Sequence, residues 1–296
     1  MNLIIQNCNL KKKKNYIFNC FLKTNNLKKF NNKIMNNVSI KLVGGLCNYI
    51  FQIACTYAYS LKHNKKCIFT IDDSVVIHKH INNYKNNILK NIEFLNSYNI
   101  KDFKLFQEKG FHYTEIPYID GDVYLLGHFQ SHKYFLEYEK EIKELFSYPN
   151  EIIEHIKNKY KDILSNESCS IHVRRGDYVN QPQYHPVQNM NYYMKSIKKI
   201  GINKQFLIFS DDIVWCKENL PNLKNFHFIE GQKDYEDFLL ISLCNHNIMS
   251  NSSFSWWSAF LNKNENKNII APKQWFGEAY SNWETKDLYL ENWEKI

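Results

Sequence analysis

Arg174 and Arg175 are the only arginines among the 38 basic residues of this 296-residue chain, and they are neighbours. Where lysine is the default cation, two adjacent guanidiniums point to planar, bidentate recognition of phosphate or carboxylate, which an ammonium performs less well. The pair stands in Ser170-Ile171-His172-Val173-Arg174-Arg175-Gly176-Asp177-Tyr178. An apolar, β-prone run leads into the cations, and glycine follows, so the sequence predicts a buried strand that ends in a charged loop. Asp177 is the first candidate for a general base, with pairing to an arginine as the alternative; His185 is a more distant one.

Three further segments have the composition of ligand-binding strand ends. Gly44-Gly45 permits a close backbone approach or a tight turn, and no Gly-Lys-Ser/Thr follows to make it a P-loop. Phe209-Ser210-Asp211-Asp212 ends an apolar run with two carboxylates, one of them a candidate helix cap. In Ser250-Asn251-Ser252-Ser253, Ser252 or Ser253 can cap the next helix, and the same helix start offers N–H groups and hydroxyls to an anion. Trp256 and Trp257 read as core packing. Asp237 follows Asp234 and Glu236 at the start of another helix. Asp120-Gly121-Asp122 has the spacing of a manganese-binding Asp-x-Asp, but Asp-Gly between extended stretches reads as a hairpin turn.

Positioning these segments requires strands that alternate with helices. Strands are predicted at 38–43, 67–71 and 123–129, with helices at 48–63, 132–147 and 150–163. After Ser165-Asn166-Glu167-Ser168, strands at 168–174, 205–210, 226–229, 246–250 and 268–271 alternate with helices at 189–200, 213–219, 234–244 and 253–262. That alternation predicts an α/β protein with parallel sheets, in two Rossmann-like domains facing a cleft: 38–165 and 166–296, after an Asn/Lys-rich extension at 1–37. In such sheets ligands bind beyond the carboxyl ends of the strands, where all four segments fall. The stretch 72–120 is mixed and shows no readable pattern.

Composition narrows the partners. The net charge is +8, but residues 1–41 hold nine lysines and no acid, which leaves 29 basic against 30 acidic residues in the remainder. The basic excess is a tail, so nucleic acid is not the expected partner. Apolar runs are far shorter than the ~20 residues of a membrane span, and no signal-peptide pattern precedes the folded part. The expectation is a soluble, cytoplasmic protein. The eight cysteines include no Cys-x-x-Cys pair and read as reduced core residues. Asn-x-Ser sequons at Asn37, Asn166 and Asn251 are expected by chance in so asparagine-rich a chain.

Several of these segments together resemble a known family. Gly44-Gly45-Leu46-Cys47-Asn48-Tyr49-Ile50-Phe51-Gln52 resembles its Gly-Gly-Leu-Gly-Asn-Gln-x-Phe-Gln pattern, and His172 to Tyr178 resembles its His-x-Arg-Arg-Gly-Asp-Tyr signature. Phe209 to Asp212, Asn251-Ser252-Ser253-Phe254-Ser255-Trp256-Trp257 and Ala271-Pro272-Lys273-Gln274-Trp275-Phe276 follow in family order. Residues 38–296 thus resemble the α-1,2-fucosyltransferases of glycosyltransferase family 11. The resemblance implies a GT-B-like fold, GDP-fucose as donor, inversion at the anomeric carbon, no required metal or other cofactor, and a glycan acceptor, a β-galactoside attacked through O2. It implies that His172 and Asp237 contact guanine and that Arg174 and Arg175 hold the diphosphate. Asp211, Asn251, Ser252 and Ser253 would lie beside the donor, and Gly44, Gly45 and Asn48 would close over donor and acceptor. Another GDP-sugar transferase of the same fold, or a non-catalytic GDP-sugar- or glycan-binding relative, is the alternative. Cys47 and Tyr49 replace the family's glycine and glutamine; if that glycine needs positive φ, Cys47 is strained.

Overall fold

Two all-parallel sheets organise the computed structural model, which describes residues 35–71 and 80–296. The first contains β1 (Asn37–Ile40), β2 (Lys66–Thr70), β3 (Phe94–Leu95), β4 (Lys104–Gln107) and β5 (Val123–Leu126), in the order β3-β2-β1-β5-β4. The second contains β6 (Ser168–Val173), β7 (Gln205–Ser210), β8 (Phe226–Phe228), β9 (His246–Ile248), β10 (Ile269–Ala271) and β11 (Glu294–Lys295), in the order β11-β10-β9-β6-β7-β8. Between strands run α1 (Leu46–His63), α2 (Glu139–Leu145), α3 (Asn150–Lys159), α4 (Lys161–Leu164), α5 (Met190–Ile200), α6 (Ile213–Asn219), α7 (Asp234–Leu243) and α8 (Ser253–Leu261).

Strand β6 is buried at every residue, as expected of a parallel strand covered on both faces. Asp212 caps α6 by accepting from Trp215 N, and Asn189 caps α5 by accepting from Tyr192 N. In each sheet the first strand lies in the middle, and the chain builds outward on one side before returning to the other. The order therefore reverses between β1 and β5 and between β6 and β9, which opens a crevice at their carboxyl ends.

An aromatic cluster joins α1 to α8. Phe51 of α1 lies 4.6 Å from Trp256 and 4.9 Å from Trp257 by ring centroids, and Phe135 stacks on Trp257 at 5.2 Å. All four rings are buried, so the tryptophan pair is core packing. Residues 36–296 form one compact unit.

The structure corrects several expectations. β1 ends at Ile40, not Val43, because Val43 N turns away to donate to Gln52 Oε1. β5 ends at Leu126, and Phe129 adopts the left-handed conformation at φ 51°. The helix expected at 132–147 breaks into two 3-10 turns before α2, and Tyr160 separates α3 from α4. The unreadable stretch supplies β3 and β4. Asn37, assigned to the extension, opens β1; residues 1–34 lie outside the described residues. Asp120-Gly121-Asp122 is a turn, with Gly121 at φ 81°, but β4 and β5 on either side are parallel, so it is no hairpin. Asp122 Oδ1 accepts from Asn37 N at 2.6 Å, at the amino end of β1 and β5, the edge opposite the crevice. The six described cysteines are free thiols. No described helix is long and apolar enough to cross a membrane.

Candidate active site

A cavity of ≈ 530 Å³ opens at the carboxyl ends of both sheets. From the second sheet it is lined by Arg174 and Asp177 after β6 and by Asn251, Ser252 and Ser253 after β9. From the first it is lined by Gly45, Cys47 and Asn48 after β1 and by His128 and Gln130 after β5. Both strand-order reversals thus face one space.

The arginine pair divides there. Arg174 Nη2 donates to Asp177 Oδ1 at 2.6 Å, and Nη1 forms an ion pair with Asp211 Oδ2 at 2.9 Å, so two carboxylates hold the guanidinium at the cavity wall. Asp211 Oδ1 also accepts from Arg175 N at 2.9 Å, which fixes the loop. Arg175 does not line the cavity. Its Nε donates to Asp212 Oδ2 at 2.9 Å and its guanidinium lies 4.1 Å from the Trp215 ring centroid, against α6. Of the two arginines expected to form a clamp, only Arg174 lines the cavity, while Asp212 and Trp215 hold Arg175 against α6.

At the end of β9, Ser252 Oγ accepts from Phe254 N and caps α8. Asn251 Nδ2 donates to Pro186 O and Trp275 O, while its buried Oδ1 has no hydrogen-bond partner among the described residues. The start of α8 presents hydroxyls and a positive dipole end to the same cavity as Arg174's carboxylate-held cation, an arrangement suited to a diphosphate.

The two residues expected to contact guanine do not line the cavity. His172 is buried behind Phe254, with Nδ1 2.8 Å from Ser250 Oγ. Burial, and then Arg174, hold its pKa down at about 3, so the ring is neutral. Asp237 accepts from Gln232 Nε2 at 2.8 Å, and burial pushes its pKa up to about 6. One helical turn earlier, Asp234 does reach the cavity and accepts from the hydroxyl of Tyr84, which also lines it.

On the first sheet, Gly44 turns the chain at φ 89° and Gly45 forms the N-cap of α1. Asn48 Oδ1 accepts from Gln130 Nε2 at 2.8 Å. Gln52 ties the two loops together, accepting from Val43 N and donating to Gly127 O, both at 3.1 Å. Cys47 lies in the first turn of α1 and is not among the positive-φ residues, so the anticipated strain is absent. Its thiol is buried, which pushes its pKa well up and keeps it protonated. Tyr49 is buried in the same helix. Gly44, by contrast, has no room for a side chain, because a Cβ would overlap the Asn48 amide. Gly44→Ala is expected to cost about 1 kcal/mol or more in urea denaturation and to uncouple Asn48 from Gln130; an unchanged midpoint would contradict this.

Motif reasoning missed the aromatic wall. Tyr178 stacks on His185 at 4.7 Å, His185 lies 5.8 Å from Phe276, and Phe276 lies 5.2 Å from Trp283. Trp283 stacks on Tyr280 at 4.2 Å and on Phe111 at 5.6 Å. A run of rings thus leads outward from Arg174, which itself lies 5.3 Å from Tyr178. Such rings suit the C–H face of a sugar.

Residues 1–296 match the family described as Glycosyl transferase family 11. The chain belongs to glycosyltransferase family 11. It is 30% identical over 292 residues to an alpha-1,2-colitosyltransferase of Escherichia coli, a match covering 88% of this chain and 99% of that protein. A shorter match, 32% identical over 101 residues, covers 31% of this chain and 28% of the galactoside alpha-(1,2)-fucosyltransferase 1 of Alouatta belzebul. The crystal structure of fucosyltransferase NodZ from Bradyrhizobium overlays with a TM-score of 0.50, over 77% of this chain and 93% of that one, at 11% identity, which is a likeness of fold alone. The family 11 chain is thus a GT-B-like α/β protein whose glycine loop, arginine loop and Asn-Ser-Ser block converge on one cavity.

Proposed function

We propose that this protein is an inverting transferase that moves L-fucose from GDP-fucose to O2 of a β-galactoside, without a metal. The observation that carries this reading is Arg174, fixed between Asp177 and Asp211 at the β6–β9 reversal and facing the start of α8 in one cavity. Rupture of the sugar–phosphate bond leaves negative charge on the diphosphate, and a preorganised guanidinium with a helix N-terminus stabilises that charge. Asp177 is exposed and held by one hydrogen bond, so it is the partner that an incoming phosphate oxygen displaces; Asp211, tied to two groups, stays.

The match to a colitosyltransferase supports a second donor, the GDP-linked 3-deoxy analogue of fucose. Both readings are tested by offering each donor with a β-galactoside array and determining the linkage of any product. The expected result is GDP binding and α-1,2 transfer from at least one donor. GDP binding without transfer or donor hydrolysis would favour the non-catalytic alternative; no binding would sink the reading.

A further inference from the structure

Resting on that transferase reading, we infer that His128 is the base that takes the proton of the acceptor hydroxyl. Four groups with the right chemistry line the cavity: Asp177, His185, Asp234 and His128. Asp177 stands on the Arg174 loop beside the guanidinium, whether or not the diphosphate displaces it; His185 stacks on Tyr178, the ring beside the same guanidinium; and Asp234, at the start of α7, is engaged by the Tyr84 hydroxyl. All three follow strands of the second sheet, the side that carries Arg174. Inversion needs the proton acceptor on the opposite side. His128 comes from the first sheet, which also supplies Asn48 and Gln130 to the cavity, whereas Arg174 comes from the second.

The loop that carries His128 is built around a buried carboxylate. Glu108 Oε2 accepts from His128 N at 2.8 Å and from Phe129 N at 3.0 Å, and its Oε1 accepts from Tyr134 Oη. A Cβ on Gly127 would sit 2.5 Å from Glu108 Cβ, so only glycine allows the loop this close. Phe129 is held at φ 51°, a conformation that costs an ordinary residue energy and persists where the surroundings enforce it. Neither nitrogen of the His128 ring has a hydrogen-bond partner among the described residues, and Nδ1 is buried. Burial lowers its pKa, so the imidazole is neutral with a free lone pair. The groups facing it are Arg174, Asp177, Asp234 and Tyr84 across the cavity, with Glu108 behind.

The step balances. The acceptor oxygen bonds to the anomeric carbon, and the carbon–oxygen bond to the diphosphate breaks with its electron pair on GDP. The hydroxyl proton passes to the unprotonated ring nitrogen of His128, which later releases it to water.

The test compares wild-type chain with His128→Gln and His128→Ala, measuring GDP affinity by calorimetry and transfer from whichever donor the wild type uses. Removing a general base is expected to lower kcat by about 10²-fold or more, with GDP affinity within about twofold, and added imidazole should restore part of the His128→Ala rate. A merely structural histidine would give no rescue. Wild-type kcat in both variants, joint loss of GDP binding and transfer, or absence of rescue would each overturn the inference. An inactive wild-type chain would instead sink the transferase reading, and this inference with it.

Discussion

Arg174→Lys should lower GDP-sugar turnover by about one to two decades, while Arg175→Lys should leave turnover within about threefold of wild type. The asymmetry follows from where the two guanidiniums go. Arg174 meets Asp177 and Asp211 through separate nitrogens at the cavity wall. A lysine ammonium carries the charge but cannot hold that fork, so it loses at least one charge-assisted bond, worth ~1.5–3 kcal/mol, or one to two decades in rate. Arg175 touches Trp215 and Asp212 on α6, outside the lining. Its replacement should instead lower stability by about 0.5–2 kcal/mol, the range of a cation–π contact between exposed and desolvated settings. Steady-state kinetics with urea denaturation separates the two effects. Equal loss of turnover in both variants would mean that both guanidiniums reach the diphosphate and that the single-guanidinium geometry is wrong.

The same pair shows what a sequence can disclose. Strand–loop order around Arg174 was readable because a buried parallel strand is continuous in apolar and β-prone residues, and β7 was recovered to the residue for that reason; α6 was recovered to the residue as well, opened by its cap at Asp212. The convergence of Gly45, Arg174 and Ser252 was readable from the rule that ligands gather at carboxyl ends of strands. Which arginine faces the cavity was not, because it depends on Trp215, forty residues on, offering a ring to its neighbour. Nor was the choice between Asp234 and Asp237, which turns on Tyr84, 150 residues away in the chain. β3 and β4 escaped because they are short, half-exposed strands without an apolar run. His128 and Gln130 were within reach: they follow β5, and the carboxyl-end rule applies to that strand as to the others. The strain at Cys47, conditional on the family's glycine needing positive φ, does not arise, since the position lies inside a helix, where any L-residue fits.

Phe51→Ala should destabilise the protein by about 3–5 kcal/mol, the usual cost of emptying a buried phenylalanine site. That is a large share of the ~5–15 kcal/mol that holds a domain folded. The ring is fully buried among Trp256, Trp257 and Phe135, so large flat side chains surround the gap on several sides and cannot all close it. The position also matters for the cavity. Phe51 lies on α1, whose start carries Cys47 and Asn48, and its partners lie on α8, whose start carries Ser252 and Ser253. The two helices that present opposite walls are thus held together by this ring. Phe51→Leu, which keeps an apolar filling, should recover most of the stability and show whether the spacing of the walls depends on the aromatic ring. A Phe51→Ala chain with an unchanged urea midpoint would show that the cluster does not join the two helices as described. A destabilised chain with an unchanged GDP affinity would show that the cavity walls keep their spacing by other contacts, the Tyr84–Asp234 bond among them.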